Sequence, residues 1–332
     1  MAIPDFEELN RSLASQSRVA IVDRPTPVRR LSKLFPNDEV WLKDDSVTHP
    51  VYGGNKPRKL EYLIAQALKN KQEVVTFGFE NSNHALAAAY HCKLRGVPCH
   101  LILVKAPSKM SDSDRRLLET KKQLVRKYAQ SIHIVDNFAA AFVAGTLKWF
   151  SRFKKLMVIP PGGSNAVGTL GYVQAAIELA GQVHQRKLPE PEKLFVALGT
   201  GGTAVGLAIG LRAAGLKTKV HAVRVVPGSR TELPALKRLA RRSGKILRLH
   251  PECFDLENLV VDSSALGAGY AAPTEESELA VQEWAKEEAV ELETTYTGKV
   301  AAALKRELSK NPSTGACVFW LTYSAPKLLV QL

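Results

Sequence analysis

The sequence predicts an α/β protein of parallel sheets joined by helical crossovers, and three observations predict it. Short apolar runs alternate with longer segments of helical pattern along most of the chain, as strand–helix–strand units do. Glycine-rich and polar loops follow the apolar runs, at the strand ends where such folds place ligands. With 332 residues, and roughly 100–200 per domain, the chain is long enough for two lobes that each bury a core.

Taken in order, a first helix is expected near Pro57, a good first-turn residue. Residues 73–79 read as a strand, 84–96 as an Ala-rich helix and 99–104 as the next strand. A charged helix over 112–129 and a strand over 131–136 follow. The second half opens around 156–163, with a helix from about Thr169 to Leu179, a strand over 194–198, a helix over 205–215 and a strand over 219–226. Pro273-Thr274-Glu275-Glu276 opens a further helix and Tyr296-Thr297-Gly298-Lys299 another. Residues 317–322 read as a strand ending in the hydroxyl of Thr322.

Composition removes several function classes. At 45% hydrophobic residues the chain is globular rather than disordered. Four scattered cysteines, none in a Cys-x-x-Cys pair, support neither a disulfide framework nor a zinc or thioredoxin site. The first residues carry acids rather than a basic-then-apolar targeting segment, and no run of about 18 apolar residues is present. A cytoplasmic protein without a membrane partner is the expectation. The 46 basic against 32 acidic residues leave a net charge of +14, which raises nucleic acid as a partner. Its best support is Lys237-Arg238, Arg241-Arg242, Lys245 and Arg248, with Lys121-Lys122 and Arg126-Lys127. These are interleaved with apolar residues, read as solvated helix faces, and come with no nucleic-acid-binding motif. Nucleic acid is therefore not expected.

Three loops could carry chemistry. In Gly53-Gly54-Asn55-Lys56-Pro57 a tight turn precedes a helix, and the helix dipole there disfavours a charged Lys56. Lys56 is either an amine nucleophile or a solvated lysine beside a turn. In Asn81-Ser82-Asn83-His84, Ser82 or Asn83 can cap the next helix, and free N–H groups there would receive a carboxylate. His84 alone reads as structural. Gly199-Thr200-Gly201-Gly202-Thr203, between strand and helix, offers either an anion nest suited to phosphate or a plain turn. It lacks the Gly-Lys-Ser/Thr of a P-loop.

These loops, followed by Gly162-Gly163-Ser164, Gly267-Ala268-Gly269-Tyr270 and Tyr296-Thr297-Gly298-Lys299, resemble the fold type II (tryptophan synthase β-like) pyridoxal-phosphate enzymes. More narrowly, they resemble the D-cysteine desulfhydrase and 1-aminocyclopropane-1-carboxylate (ACC) deaminase family. The similarity runs from about residue 25 to Thr322 and turns on residues 53–63. It implies two open α/β lobes with the cofactor between them: residues 51–167 as a small inserted lobe, 1–50 and 168–332 as the larger one. It implies Lys56 as the residue holding pyridoxal 5′-phosphate as an internal aldimine and then serving as base. Asn83 would bond the cofactor's 3′-oxygen, Gly199, Thr200, Gly201, Gly202 and Thr203 would hold its phosphate with Lys59 adding charge, and Thr322 would face its ring nitrogen. Ser82 and Tyr296 would assist catalysis, with Ser82, Asn81, His84, Tyr270, Tyr296 and Thr297 around a small amino-acid substrate. A homodimer is the implied assembly.

Within the family, Thr297 stands where the ACC deaminase pattern has Glu, and Thr322 where it has Leu. Both favour the desulfhydrase branch: D-cysteine to pyruvate, sulfide and ammonia. The alternatives are ACC deaminase, a lyase or deaminase for another small amino acid such as serine, and a weakly active pyridoxal-phosphate-binding protein. The last is motivated by departures from the family pattern. Asn81 replaces Gln, Ala85-Leu86 replaces Thr-Arg, Glu293-Thr294-Thr295-Tyr296 replaces Asp-Pro-Val-Tyr, and Leu321-Thr322-Tyr323-Ser324 replaces His-Thr-Gly-Gly.

Overall fold

A computed structural model describes residues 6–106, 112–137, 139–141, 143–144, 155–228, 231–310 and 315–325. Two sheets organise it. The larger combines β1 (Val28–Arg30), β2 (Val40–Asp44), β7 (Lys193–Leu198), β8 (Lys219–Arg224), β9 (Leu259–Asp262) and β10 (Cys317–Leu321) in the order β1-β2-β10-β7-β8-β9. Only β1 runs antiparallel to its neighbour. The smaller is wholly parallel, in the order β5-β4-β3-β6, from β3 (Glu73–Phe79), β4 (Cys99–Val104), β5 (Ser131–Val135) and β6 (Leu156–Ile159).

Helices cover the faces because the strands bury both sides. In β10, Val318 and Trp320 join the core shared with α5 (Ala166–His184), α6 (Gly202–Ala213) and α7 (Leu233–Ile246). The alternate residues Cys317, Phe319 and Leu321 face the opposite core with α8 (Glu275–Glu288) and α9 (Thr297–Lys310). This period of two, apolar on both faces, is what a central parallel strand requires. The small sheet packs on α2 (Asn55–Lys69), α3 (Asn83–Lys93) and α4 (Asp112–Tyr128). Helix α2 joins the two cores: Leu60, Leu63 and Ile64 enter the small sheet's core, while Tyr62 enters that of the large one.

The structure corrects several expected limits. Helix α2 begins at Asn55, so Pro57 occupies its third position, where a missing N–H still costs no helical bond. Helix α5 begins at Ala166 because the Asn165 side chain accepts a bond from Gly168 N at 2.8 Å, and α6 begins three residues early, at Gly202. Strands β1, β2 and β9 and the short α1 (Phe6–Ala14) are additions to the expected elements.

Candidate active site

The C-terminal ends of β3, β6, β7, β8 and β10 open onto one cleft of about 1150 Å³. The loops 81–84, 162–164 and 199–203 leave β3, β6 and β7, and the loops carrying Lys56, Tyr270 and Tyr296 reach the same cleft, so the topology gathers what the chain separates.

Lys56 sits in the first turn of α2. The turn before it depends on Gly54, which has φ 82°, and whose added Cβ would lie 2.8 Å from Thr322 O. The loop is tied to β10 by Asn55 N donating to Thr322 O at 3.0 Å, and to α6 by Asn55 Nδ2 donating to Thr203 Oγ1 at 3.2 Å. The Lys56 ammonium donates to Asn55 Oδ1 at 2.5 Å. Burial pulls its pKa down to about 8, against the opposing attraction of the Glu293 carboxylate. This amine can be neutral, hence nucleophilic, near neutral pH.

One turn along α2, Lys59 is 3% exposed and donates to Gly162 O and Ser164 Oγ, both at 3.1 Å. No carboxylate among the described residues pairs with it. Burial, then the neighbouring Lys56 charge, push its pKa well below the usual lysine value. Ser164 Oγ also accepts from Gly202 N at 3.1 Å and shares a bond of 2.6 Å with Thr200 Oγ1. A Cβ added at Gly202 would lie 2.7 Å from that oxygen, so only glycine lets this wall close. Helix α6 starts here without a side-chain cap, leaving first-turn N–H groups for an anion. An unneutralised buried lysine, hydroxyls and a bare helix N-terminus together form a donor set that fits a phosphate group.

On the facing wall, Ser82 caps α3, accepting from Ala85 N at 3.3 Å, which leaves its own proton to donate. Tyr52 OH donates to Asn83 O at 2.9 Å. His84 is buried, its Nε2 at 3.0 Å from Thr76 Oγ1, whose proton goes to Ile159 O. Burial, with the charges of Lys56 and Lys59, drives its pKa down to about 3. It is therefore neutral and held by the frame. Opposite, Tyr296 OH donates to Tyr270 OH at 2.9 Å, and Tyr270 stacks on Phe79 with ring centroids 5.7 Å apart.

Lys56, Lys59, Ser82, Asn83, His84, Gly199, Thr200, Gly201, Thr203, Tyr270, Tyr296 and Thr322 all line this cleft. Gly202 forms the wall behind it. Asn81 and Thr297 do not line it. Asn81 instead offers its main-chain oxygen to Lys121 at 3.0 Å. Thr297 is 1% exposed, and its hydroxyl bonds back to Glu293. Residues that sequence reasoning passed over as site members also line it: Tyr52, Ser164, Glu293, Tyr323 and Ser324. Ser164 was visible as the end of Gly162-Gly163-Ser164. Glu293 had no local signal, because its carboxylate works as a cap, accepting from Thr295 N, Tyr296 N and Thr297 N at 2.8–2.9 Å.

A buried amine of lowered pKa beside a donor set that fits phosphate, in an α/β fold of largely parallel sheets, is what a cofactor enzyme needs, and the chain belongs to the pyridoxal-phosphate dependent enzyme family, whose pattern matches residues 19–322. It is 32% identical over 322 residues to the mitochondrial bifunctional D-cysteine desulfhydrase/1-aminocyclopropane-1-carboxylate deaminase of Arabidopsis thaliana, covering 93% of this chain and 77% of the relative. It is 31% identical over 330 residues to D-cysteine desulfhydrase of Serratia proteamaculans, covering 96% and 97%. Among solved structures, an ACC deaminase homologue matches with a TM-score of 0.81 and 25% identity, covering 98% and 99% of the two chains. Maize serine racemase, at 18% identity and a TM-score of 0.62, covering 97% and 95%, shares the fold. The expected fold class and the expected cofactor are both borne out. No described helix is long and apolar enough to cross a membrane.

The lowered Lys56 pKa has a kinetic consequence. Uptake of pyridoxal phosphate by the apoprotein, followed by absorbance, rises with pH and levels off just above pH 8. An ordinary lysine, with its value of 10.5, would keep the rate climbing beyond pH 9. A profile still rising there would contradict the burial argument.

Proposed function

We propose that this enzyme catalyses β-elimination from a small amino acid, D-cysteine foremost, releasing sulfide and, after hydrolysis, pyruvate and ammonia. The observation that carries this reading is the Lys56 amine, with its pKa near 8, in the same cleft as the unneutralised Lys59 cradle. The names of the relatives support the substrate. When bound, pyridoxal phosphate supplies the electron sink that makes the substrate Cα proton acidic.

The chain's residues do the rest. Lys59, Ser164 and the Gly199–Thr203 backbone hold the phosphate. The Asn83 amide would hold the cofactor's ring oxygen and the Thr322 hydroxyl its ring nitrogen, a partner that carries no charge of its own. An uncharged partner of that kind would suit β-elimination. Ser82 and the first N–H groups of α3 take the substrate carboxylate. Lys56 removes the Cα proton as base, and the Tyr296–Tyr270 pair borders the leaving group. Ring opening of ACC calls for an acidic group beside the ring. Thr297 supplies none, and the carboxylate of Glu293 is spent on three main-chain N–H groups.

We take residues 51–167 as the smaller lobe, supported by the four-stranded sheet lying within 73–159. We also propose a homodimer, which sedimentation would test, and a reducing, cytoplasmic setting, supported by four buried free cysteines. For the activity, sulfide and pyruvate are measured with the loaded enzyme. Release from D-cysteine exceeding that from L-cysteine, with no product from ACC, is expected. No turnover of either cysteine would leave a pyridoxal-phosphate-binding protein of weak activity.

A further inference from the structure

Lys121 belongs to a charged stretch that reads in sequence as solvated surface, yet it is 7% exposed and points inward from α4. Its ammonium donates to Asn83 Oδ1 at 2.8 Å and to Asn81 O at 3.0 Å. An ammonium carries three donors and no acceptor, so of the two ends of the Asn83 amide it can hold only the oxygen. The amide nitrogen, with its two protons, is then the end left for the cleft that Asn83 lines. The main chain of Asn83 is already fixed by Tyr52 OH at 2.9 Å. Rotation of the side chain is the remaining freedom, and Lys121 removes it. Next to it, Lys122 approaches Glu80 Oε1 at 3.5 Å, so α4 grips both ends of the 80–83 loop.

We propose that Lys121 is a positioning residue for the cofactor: it holds the Asn83 oxygen and so presents the Asn83 amide N–H to the cofactor ring oxygen. The bond also polarises the amide, making its N–H a stronger donor, and sets a positive charge behind the group that meets an anionic oxygen. This role rests on Asn83 meeting the cofactor, as proposed above.

The test uses the loaded enzyme with K121M, K121R, N83A and the K121M/N83A double variant. Two quantities are read: the dissociation constant of pyridoxal phosphate and the position of its visible band. K121M is expected to weaken retention about tenfold and shift the band, as loss of one charge-assisted bond does. K121R keeps a donor at the site and stays within about threefold of wild type. In the N83A background, K121M adds less than about twofold, because its effect passes through Asn83. K121M indistinguishable from wild type, or an unchanged K121M effect in the N83A background, overturns the proposal. A wild-type protein with no band sensitive to K56A would instead overturn the cofactor reading beneath it.

Discussion

Lys56→Ala abolishes the visible absorption of the loaded enzyme and lowers cysteine turnover by at least ~10³-fold, the scale on which enzymes lose rate when the nucleophile or base goes. In the proposed reading one side chain does two jobs, binding the cofactor and moving the Cα proton, and the other groups of the cleft are unsuited to replace it. Lys59, which shares the cleft, is engaged with Gly162 O and Ser164 Oγ. Tyr270 and Tyr296 are held protonated by burial. His84 faces Thr76 and is neutral. Lys56→Arg fails equally, because a guanidinium stays protonated and cannot act as base. Absorbance and sulfide release measured together check this; a retained band in Lys56→Ala would move the cofactor attachment elsewhere.

Arg58→Ala destabilises the fold by about 3–5 kcal/mol, the range for stranding buried charges. Arg58 has no exposed surface and grips Asp45 through Nε at 2.9 Å and Nη2 at 2.7 Å, with Nη1 on Glu178 at 3.1 Å. Asp45 also accepts from Tyr172 OH and Trp320 Nε1, and Glu178 from Lys43 Nζ. Removing the guanidinium takes from two buried carboxylates the one cation among the described residues that pairs with both. At roughly 2.1 cal/mol/K of unfolding entropy per residue over 332 residues, the melting temperature falls by about 4–7 °C. The pH sign follows from Glu178. Burial alone would raise its pKa, but Arg58 and Lys43 outweigh that and hold it down at about 2, below its ordinary 4.5. Its contribution is full above pH 4.5 and drains as pH falls towards 2. Thermal unfolding scans should therefore show the gap between wild type and variant narrowing on acidification. A gap that widens would assign the network's energy elsewhere.

What was legible in the sequence was what is contiguous. Gly53 to Lys59 carries the turn, the Lys56 amine and the Lys59 of the proposed phosphate cradle within seven positions, and the apolar runs over 73–79, 99–104 and 194–198 are strands with nearly the expected limits. What stayed hidden depends on partners distant in the chain. Strand β2 contains Lys43, a charge that argues against a buried strand until Glu178, 135 residues away, neutralises it. Strand β1 is three residues long at a sheet edge, too short for a period to register. Thr297 stands where the family resemblance puts a substrate-facing residue, whereas the cap formed by Glu293 turns its hydroxyl away. Lys121 looks like its solvated neighbours until α4 packs against the loop carrying Asn83.

The unneutralised cradle around Lys59 also ties the amount of enzyme to its vitamin supply. With no carboxylate partner among the described residues, Lys59 is disfavoured as a cation in the apoprotein, and the dianion of the cofactor would stabilise its charge. Binding then raises the folded population by mass action, and small changes in that population alter how much protein survives turnover in a cell. Scarcity of pyridoxal phosphate would silence the enzyme twice: by emptying its active site, and by shortening the life of the empty chain.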